Sequence, residues 1–380
     1  MSENKKRSDY FFHPFEISFC GFSNSGKTTL ISKVLSSLSS LYDIGYVKHD
    51  VHRFMMDKDG KDTFSAYESG AKQVFISDPR HSATIYRGTP TSLERKNFLL
   101  DNDFVILEGY KNFPVPKIVV IDQEHKILDL VRFGNMNHVL AFVGQNLNAP
   151  DLPIDRPYYH RDDLEGVVSF VLSYLNSLAS KIPVFGLVLT GGKSSRMKRD
   201  KAFLSYHGRP QAIHTYELLT KHLSHVYISS KSDQWNDSAL NRLPQIYDCL
   251  DGFGPMGGIL SAMRKYPNAA WLVTACDLPF LDEKTVIELL SKRNPFKMAT
   301  CYESNSEGLP EPLCAIYEPK IYSRLFEAIG NEVGCPRKVL LLSPTKVLHL
   351  PNPRSLENVN YPEEFNNVSN QLKGTSFEIM

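Results

Sequence analysis

The sequence predicts an α/β protein of two domains, on three observations. Strand-like apolar runs alternate with helix-like segments throughout, the pattern of mainly parallel sheets covered by helices. Two glycine-rich loops, at 21–28 and 191–201, each follow an apolar strand. The length of 380 residues suits two or three domains at ~150 residues apiece.

Taken in order, residues 1–12 form a polar tail without the apolar stretch of a signal peptide. Phe15 to Cys20 reads as a strand. Thr28 to Leu38 reads as a helix, with Leu30, Ile31, Val34, Leu35 and Leu38 on one face. Further strands are expected at Ile44 to Val47, Asp103 to Leu107, Lys117 to Ile121 and Val139 to Val143. A loop is expected at Asn146 to Pro153, then a helix from Arg161 to Leu178, with Asp162 and Asp163 at its start suiting the helix dipole. The first domain is placed at 13–180 and the second at 181–380. The boundary falls where a strand at Val184 and a new glycine loop restart the pattern.

Composition excludes several classes. Hydrophobic content of 42% and charged content of 22% are ordinary for a soluble globular chain. A net charge of +1 gives no electrostatic case for nucleic acid. No run approaches the ~18–20 apolar residues of a membrane span, so no membrane partner is expected and the protein is expected to be cytoplasmic. The six cysteines, at 20, 249, 276, 301, 314 and 335, form no C-x-x-C pair. That argues against a disulfide framework, a zinc site or an iron–sulfur cluster, and buried thiols are expected at all six.

Gly21-Phe22-Ser23-Asn24-Ser25-Gly26-Lys27-Thr28 fits G-x-x-x-x-G-K-[ST] between a strand and a helix, the context that motif requires. Backbone N–H groups would cradle phosphates, Lys27 would reach the β/γ-phosphates and Thr28 would hold Mg²⁺. The first domain is therefore expected to carry a P-loop NTPase-like sheet. The alternative is a chance match in a Gly/Ser-rich turn. Glu108 ends a neighbouring strand where an acidic partner is needed; a purely structural acid is its alternative. Val47-Lys48-His49-Asp50 ends another strand with three polar groups. His49 and His52 alone make no metal site.

Gly21 to Ile31, Val47-Lys48-His49-Asp50, Gly60-Lys61-Asp62 and Leu107-Glu108-Gly109-Tyr110-Lys111 together resemble the MobB family of molybdopterin-guanine dinucleotide biosynthesis adaptors, over about residues 13–178. The resemblance implies a GTP-binding protein with feeble GTPase activity that assists the last step of molybdenum cofactor maturation. It implies a nucleotide loop of Gly21, Asn24, Ser25, Gly26, Lys27, Thr28 and Thr29 with Glu108 beside it. The family usually has Gly where Asn24 stands, and typically ends the acidic strand in Glu-Gly.

The second domain opens with the strand Val184 to Thr190, then Gly191-Gly192-Lys193-Ser194-Ser195-Arg196 and Asp200-Lys201. Glycines let backbone N–H groups approach a triphosphate; Arg196 and Lys201 can neutralise its charge. Ala270 to Phe280 reads as a buried strand ending in Asp277, where a carboxylate can hold Mg²⁺ against phosphates. Asp248 ends another strand, with capping as its alternative role, and Gly252 to Gly258 follows as a flexible loop before a helix. No protein nucleophile is needed. An anionic acceptor phosphate attacks the α-phosphate, pyrophosphate leaves, and catalysis is positioning plus neutralisation by Mg²⁺, Lys201 and Arg196. This predicts a Rossmann-like nucleotidyltransferase sheet.

Leu189 to Met197, Asp200-Lys201-Ala202, Asp248 with Gly254-Pro255, Cys276 to Phe280, Leu309 to Leu313 and Asn358 to Glu363 resemble the MobA family of molybdenum cofactor guanylyltransferases, over about residues 183–370. The resemblance implies GTP and Mo-molybdopterin as substrates, with molybdenum-insertion proteins and target molybdoenzymes as further partners. It places Leu189, Thr190, Gly191, Gly192, Lys201, Asp248 and Asp277 at GTP, and Asn358 and Asn360 toward the pterin. Ser229 stands where the family often has Asn, near the guanine. Two other readings remain: a nucleotidyltransferase using CTP or a sugar-phosphate acceptor, and a nucleotide-regulated cofactor carrier.

Overall fold

A computed structural model describes residues 12–48, 57–88, 91–190, 200–304, 308–359 and 361–375. The chain divides into two units, Met1–Ser177 and Leu178–Met380.

The first unit contains β1 (Glu16–Cys20), β2 (Ile44–Lys48), β3 (Gln73–Ser77), β4 (Ser82–Tyr86), β5 (Phe104–Glu108), β6 (Lys117–Val120), β7 (Val139–Gly144) and β8 (Tyr158–His160). Six of these form one sheet in the order β2-β5-β1-β6-β7-β8, with every pairing parallel. β1, β5 and β6 are buried at every residue, as central parallel strands covered on both faces must be. The Lys27–Leu38 helix covers the sheet through Leu30, Ile31, Val34 and Leu38, four of the five residues expected on its apolar face.

The sequence reading left several elements of the first unit unassigned, among them β3, β4, β8 and the helices Asp62–Glu68, Ser92–Leu99 and Lys126–Arg132, and it misplaced one. β3 and β4 pair as a separate antiparallel hairpin. The helix expected from Arg161 spans Leu164–Ala179. Asp163 explains the shift: its Oδ1 accepts the N–H of Gly166 at 2.9 Å, which starts the helix after it and leaves Arg161 and Asp162 in the preceding turn.

The second unit contains β9 (Val184–Leu189), β10 (Val226–Ser230), β11 (Gln245–Tyr247), β12 (Ala270–Ala275), β13 (Ala299–Glu303), β14 (Pro310–Tyr317) and β15 (Thr345–Leu348). They form one sheet in the order β11-β10-β9-β12-β14-β13-β15. β9 to β12 are mutually parallel, while β14 runs antiparallel to β12 and β13. Trp271, Tyr302 and Tyr317 are its largest fully buried side chains. Gly252 to Gly258 is not one loop. A helix begins at Pro255, because proline pre-sets the first helical φ and needs no N–H partner there.

Cys20, Cys276, Cys301 and Cys314 are buried, but Cys249 and Cys335 are exposed. Those two lie in connecting segments just after β11 and just before the Pro336–Leu341 helix, outside the strands that hold Cys20, Cys301 and Cys314. Among the described residues no helix is long and apolar enough to cross a membrane.

Two candidate nucleotide sites

In the first unit, β1 runs into the Gly21–Thr28 loop and then the helix. The loop's shape follows from a few backbone constraints. Gly26 has φ +88, a region that favours glycine. A Cβ on Gly21 would stand 2.6 Å from Ser25 Oγ and 2.8 Å from Val120 O, so only glycine fits against β6. Asn24, where the family usually has glycine, also has positive φ, at 63°. Asparagine is among the few other residues that adopt this conformation readily.

Glu108 closes the cluster from the end of β5, opposite Phe19 of β1 and Lys48 of β2. It is buried, and its carboxylate accepts from Thr28 Oγ1 at 2.9 Å and 3.1 Å and from the Tyr46 hydroxyl at 2.7 Å. Lys48 Nζ lies 3.9 Å away. Lys27 donates to Phe22 O at 2.6 Å. Burial pulls its pKa below the ordinary lysine value, and the charge of Glu108 opposes that shift. Burial, then the bond to Glu108, raises Tyr46, so its hydroxyl stays protonated and donates. Arg161 Nη2 donates to Ser25 O at 3.0 Å.

Of the residues expected here, the structure brings Gly21, Asn24, Ser25, Gly26, Lys27, Thr28 and Glu108 into one loop and its wall. Thr29 instead lines a separate groove with Ser32, Lys33 and Leu164. Tyr46 and Arg161 were not anticipated. Tyr46 carried a weak signal, being polar-tipped two residues before the end of a strand already marked by Lys48; Arg161 carried none. His49, Asp50 and His52 lie outside the described residues.

In the second unit the site lies at the carboxyl ends of β9, β10, β11 and β12, where ligands bind in open α/β sheets. Leu189 pairs with Ser229 on one side and Ala275 on the other. Thr190 is buried; it donates to Ser229 O at 2.6 Å and accepts from Trp235 Nε1 at 3.2 Å. Ser229 donates to Asp248 Oδ1 at 2.7 Å. Burial raises the Asp248 pKa against that bond.

Lys201 opens a short 3-10 turn, Lys201–Phe203, which Asp200 caps by accepting from Ala202 N at 3.1 Å. Its Nζ meets Asp277 Oδ2 at 2.9 Å. Asp277 O accepts from Val359 N at 3.1 Å, so Asn358 stands one residue from the acidic position. Gly191, Gly192, Arg196 and Asn360 lie outside the described residues. Trp235, Asp200 and Val359 are the supporting residues that the sequence reading gave no role.

No group of three His, Cys, Asp or Glu side chains is poised for a metal among the described residues. Mg²⁺ needs no such cage, since it binds through one or two carboxylates together with substrate phosphates and water. The hard-oxygen pair of Thr28 and Glu108, and the carboxylate of Asp277, fit that requirement.

Fold and sites together define a class: two α/β units, each with a lysine and a carboxylate at the carboxyl edge of its parallel strands. Residues 16–145 match the family "Molybdopterin guanine dinucleotide synthesis protein B" and residues 186–344 match "MobA-like NTP transferase domain"; the chain joins a MobB domain to a MobA-like NTP transferase domain. It is 37% identical over 190 residues to a molybdenum cofactor biosynthesis bifunctional protein of Synechocystis sp.. That match covers 50% of this chain and 55% of the relative, so it spans only about half of the relative's length. A molybdopterin-guanine dinucleotide biosynthesis adapter protein of Haemophilus influenzae is 36% identical over 109 residues, 27% of this chain and 61% of that protein. A probable molybdenum cofactor guanylyltransferase of Flavobacterium johnsoniae is 26% identical over 187 residues, 49% of this chain and 96% of that protein.

Proposed function

We propose that the chain transfers GMP from GTP to Mo-molybdopterin, giving Mo-molybdopterin guanine dinucleotide and pyrophosphate, with a fused GTP-binding adaptor domain. The observation that carries this reading is the Lys201–Asp277 contact at 2.9 Å, set beside the end of β9 at the carboxyl edge of the sheet. Mg²⁺, when bound, supplies charge neutralisation at the phosphates.

The chain's own residues then act by position. Lys201, released from Asp277, turns to the triphosphate and offsets charge that builds as pyrophosphate leaves. Asp277 would hold the divalent cation. Arg196 adds a second positive group. Thr190 and Ser229 order the strand ends, and Asp248, held by Ser229, faces the nucleoside. Asn358, one residue from the Val359–Asp277 link, orients the pterin side. In the first unit, Lys27 and Thr28 bind a second GTP, with Glu108 aligning Thr28 for Mg²⁺. Fusion in one chain would raise the effective concentration of one module near the other. Molybdenum-insertion proteins and target molybdoenzymes are the partners this reading expects.

The test incubates the full chain with molybdopterin and each nucleoside triphosphate, and measures pyrophosphate. GTP should give the fastest release, and Lys201→Ala and Asp277→Ala should each remove most of it. Preference for CTP would move the reading to another nucleotidyl transfer. No pyrophosphate with any nucleotide would leave only a cofactor carrier, and unchanged release in both variants would remove Lys201 and Asp277 from the chemistry.

A further inference from the structure

The segment that follows Lys201 grips the loop that carries Asp277. β12 ends at Ala275, and the chain continues through Asp277-Leu278-Pro279. Pro279 has no N–H, so this stretch cannot prolong a backbone ladder. Its three consecutive carbonyls draw on donors from elsewhere. Asp277 O accepts from Val359 N at 3.1 Å. Leu278 O accepts from Gln211 Nε2 at 3.2 Å, besides a turn bond from Leu281 N at 3.3 Å. Pro279 O accepts from His207 Nε2 at 2.9 Å.

Gln211 and His207 belong to the same short stretch as Lys201. Gln211 N donates to Leu204 O at 2.8 Å, which closes the turn between them. The lysine and the acid are therefore tied twice. Their side chains meet at 2.9 Å, and the peptides behind Asp277 are held by side chains behind Lys201.

The two gripping residues differ in setting. Gln211 is wholly buried, and among the described residues its Oε1 meets no donor. A buried amide with an orphan oxygen costs stability; leucine would fill similar space without that oxygen. A local rule broken in this way points to function. His207 is exposed and stacks on His214, with ring centroids 3.9 Å apart and planes at 14°. Burial, ahead of the His207 charge, pulls the His214 pKa down to about 4, so at neutral pH His207 lies on an uncharged ring. Its carbonyl partner requires that Nε2 carry the hydrogen.

We propose that Gln211 and His207 are positioning residues of the second site: by holding the Leu278 and Pro279 carbonyls, they fix the Asp277 carboxylate where it can exchange Lys201 for a divalent cation. A shift of about 1 Å in such a group can cost ~10²-fold. This role rests on the function proposed above, in which Asp277 holds that cation.

The experiment uses the full chain carrying Lys27→Ala, to weaken the phosphate-loop site, with GTP present and Mn²⁺ as the cation probe. Bound Mn²⁺ is counted by electron paramagnetic resonance, pyrophosphate release is followed against Mg²⁺ concentration, and Tm is measured alongside. The Mn²⁺ component lost in Asp277→Ala reports on this site. Gln211→Leu should match or exceed the parent's Tm. It should also loosen that component about 10-fold or more and raise the Mg²⁺ needed for half-maximal release by a similar factor. A fall in Tm with cation affinity unmoved would make Gln211 a packing residue and overturn its role. His207 supplies a second arm that leaves the core untouched and decides the matter should Gln211→Leu not fold. His207→Phe keeps the stack and loses the donor, and should loosen the component about 2–10-fold; His207→Gln restores a donor and should recover most of it. Affinity and release within about twofold of the parent in both Gln211→Leu and His207→Phe would overturn the proposal while leaving the function standing. If Asp277→Ala itself leaves Mn²⁺ binding intact, the cation reading fails and takes the positioning role with it.

Discussion

The two sites use the same pair of groups, a lysine and a carboxylate at a sheet's carboxyl edge, and wire them in opposite ways. In the first, Glu108 is buried under Thr28 and Tyr46, while Lys27 bonds a carbonyl of its own loop. In the second, Lys201 and Asp277 bond each other directly, with their side chains 22% and 19% exposed. The first carboxylate is thus part of the scaffold. The second is part of a partly exposed pair, whose members would part to meet a cation and a phosphate under the proposed function. Truncating a partner of Glu108 therefore costs stability, because a buried charge loses a donor. On the proposed function, truncating Asp277 should cost chemistry rather than stability, because Lys201 can reach water.

Four measurements test this contrast. The largest effect is expected from the cores, which are the control. Trp271→Ala and Phe104→Ala each remove a fully buried aromatic residue and should each destabilise by about 3–5 kcal/mol in denaturant melts; a much smaller loss would show that the unit concerned repacks. Next, Asp277→Ala should slow pyrophosphate release about 10²–10³-fold with little change in Tm, and a large fall in Tm would erase the distinction drawn here. Tyr46→Phe and Thr28→Val should each cost about 1.5–3 kcal/mol, the range for a hydrogen bond to a charged group, whereas Lys201→Met should cost ~1 kcal/mol or less. Equal losses would break the comparison.

The smallest effect concerns Asp248. Burial raises its pKa in the folded state, so between the ordinary aspartate value and the raised one the native state holds more proton than the unfolded chain. Stability therefore falls as pH rises through that window, and the cost persists at neutral pH. Asp248→Asn should melt slightly higher than the parent at pH 7, with the gain fading as pH drops through the window. A gain that does not depend on pH would point to packing instead.

Legibility in the sequence followed the range of the interactions. The loop from Gly21 to Thr28 was readable because its motif lies within eight consecutive residues, between a strand and a helix. Glu108, Asp248 and Asp277 were readable as acids ending apolar runs, since strand period and strand end are local patterns. The β3–β4 hairpin was not readable: β3 buries only one of its five residues and β4 none, so neither shows the alternation that marks a half-buried strand. The Leu164–Ala179 helix was read three residues early because three polar residues precede it, and only the Asp163 side-chain bond selects among them.

The sequence by itself determined the α/β grammar, the Gly21–Thr28 loop and the identity of the strand-end acids, because steric freedom and hydrophobic period are written residue by residue. Tertiary structure decided who meets whom: Arg161 with Ser25, Tyr46 with Glu108, Ser229 with Asp248, Val359 with Asp277. Those pairs lie 136, 62, 19 and 82 positions apart. Strand order and register bring them together. These depend on how whole elements share a core, which no local pattern in one sequence records.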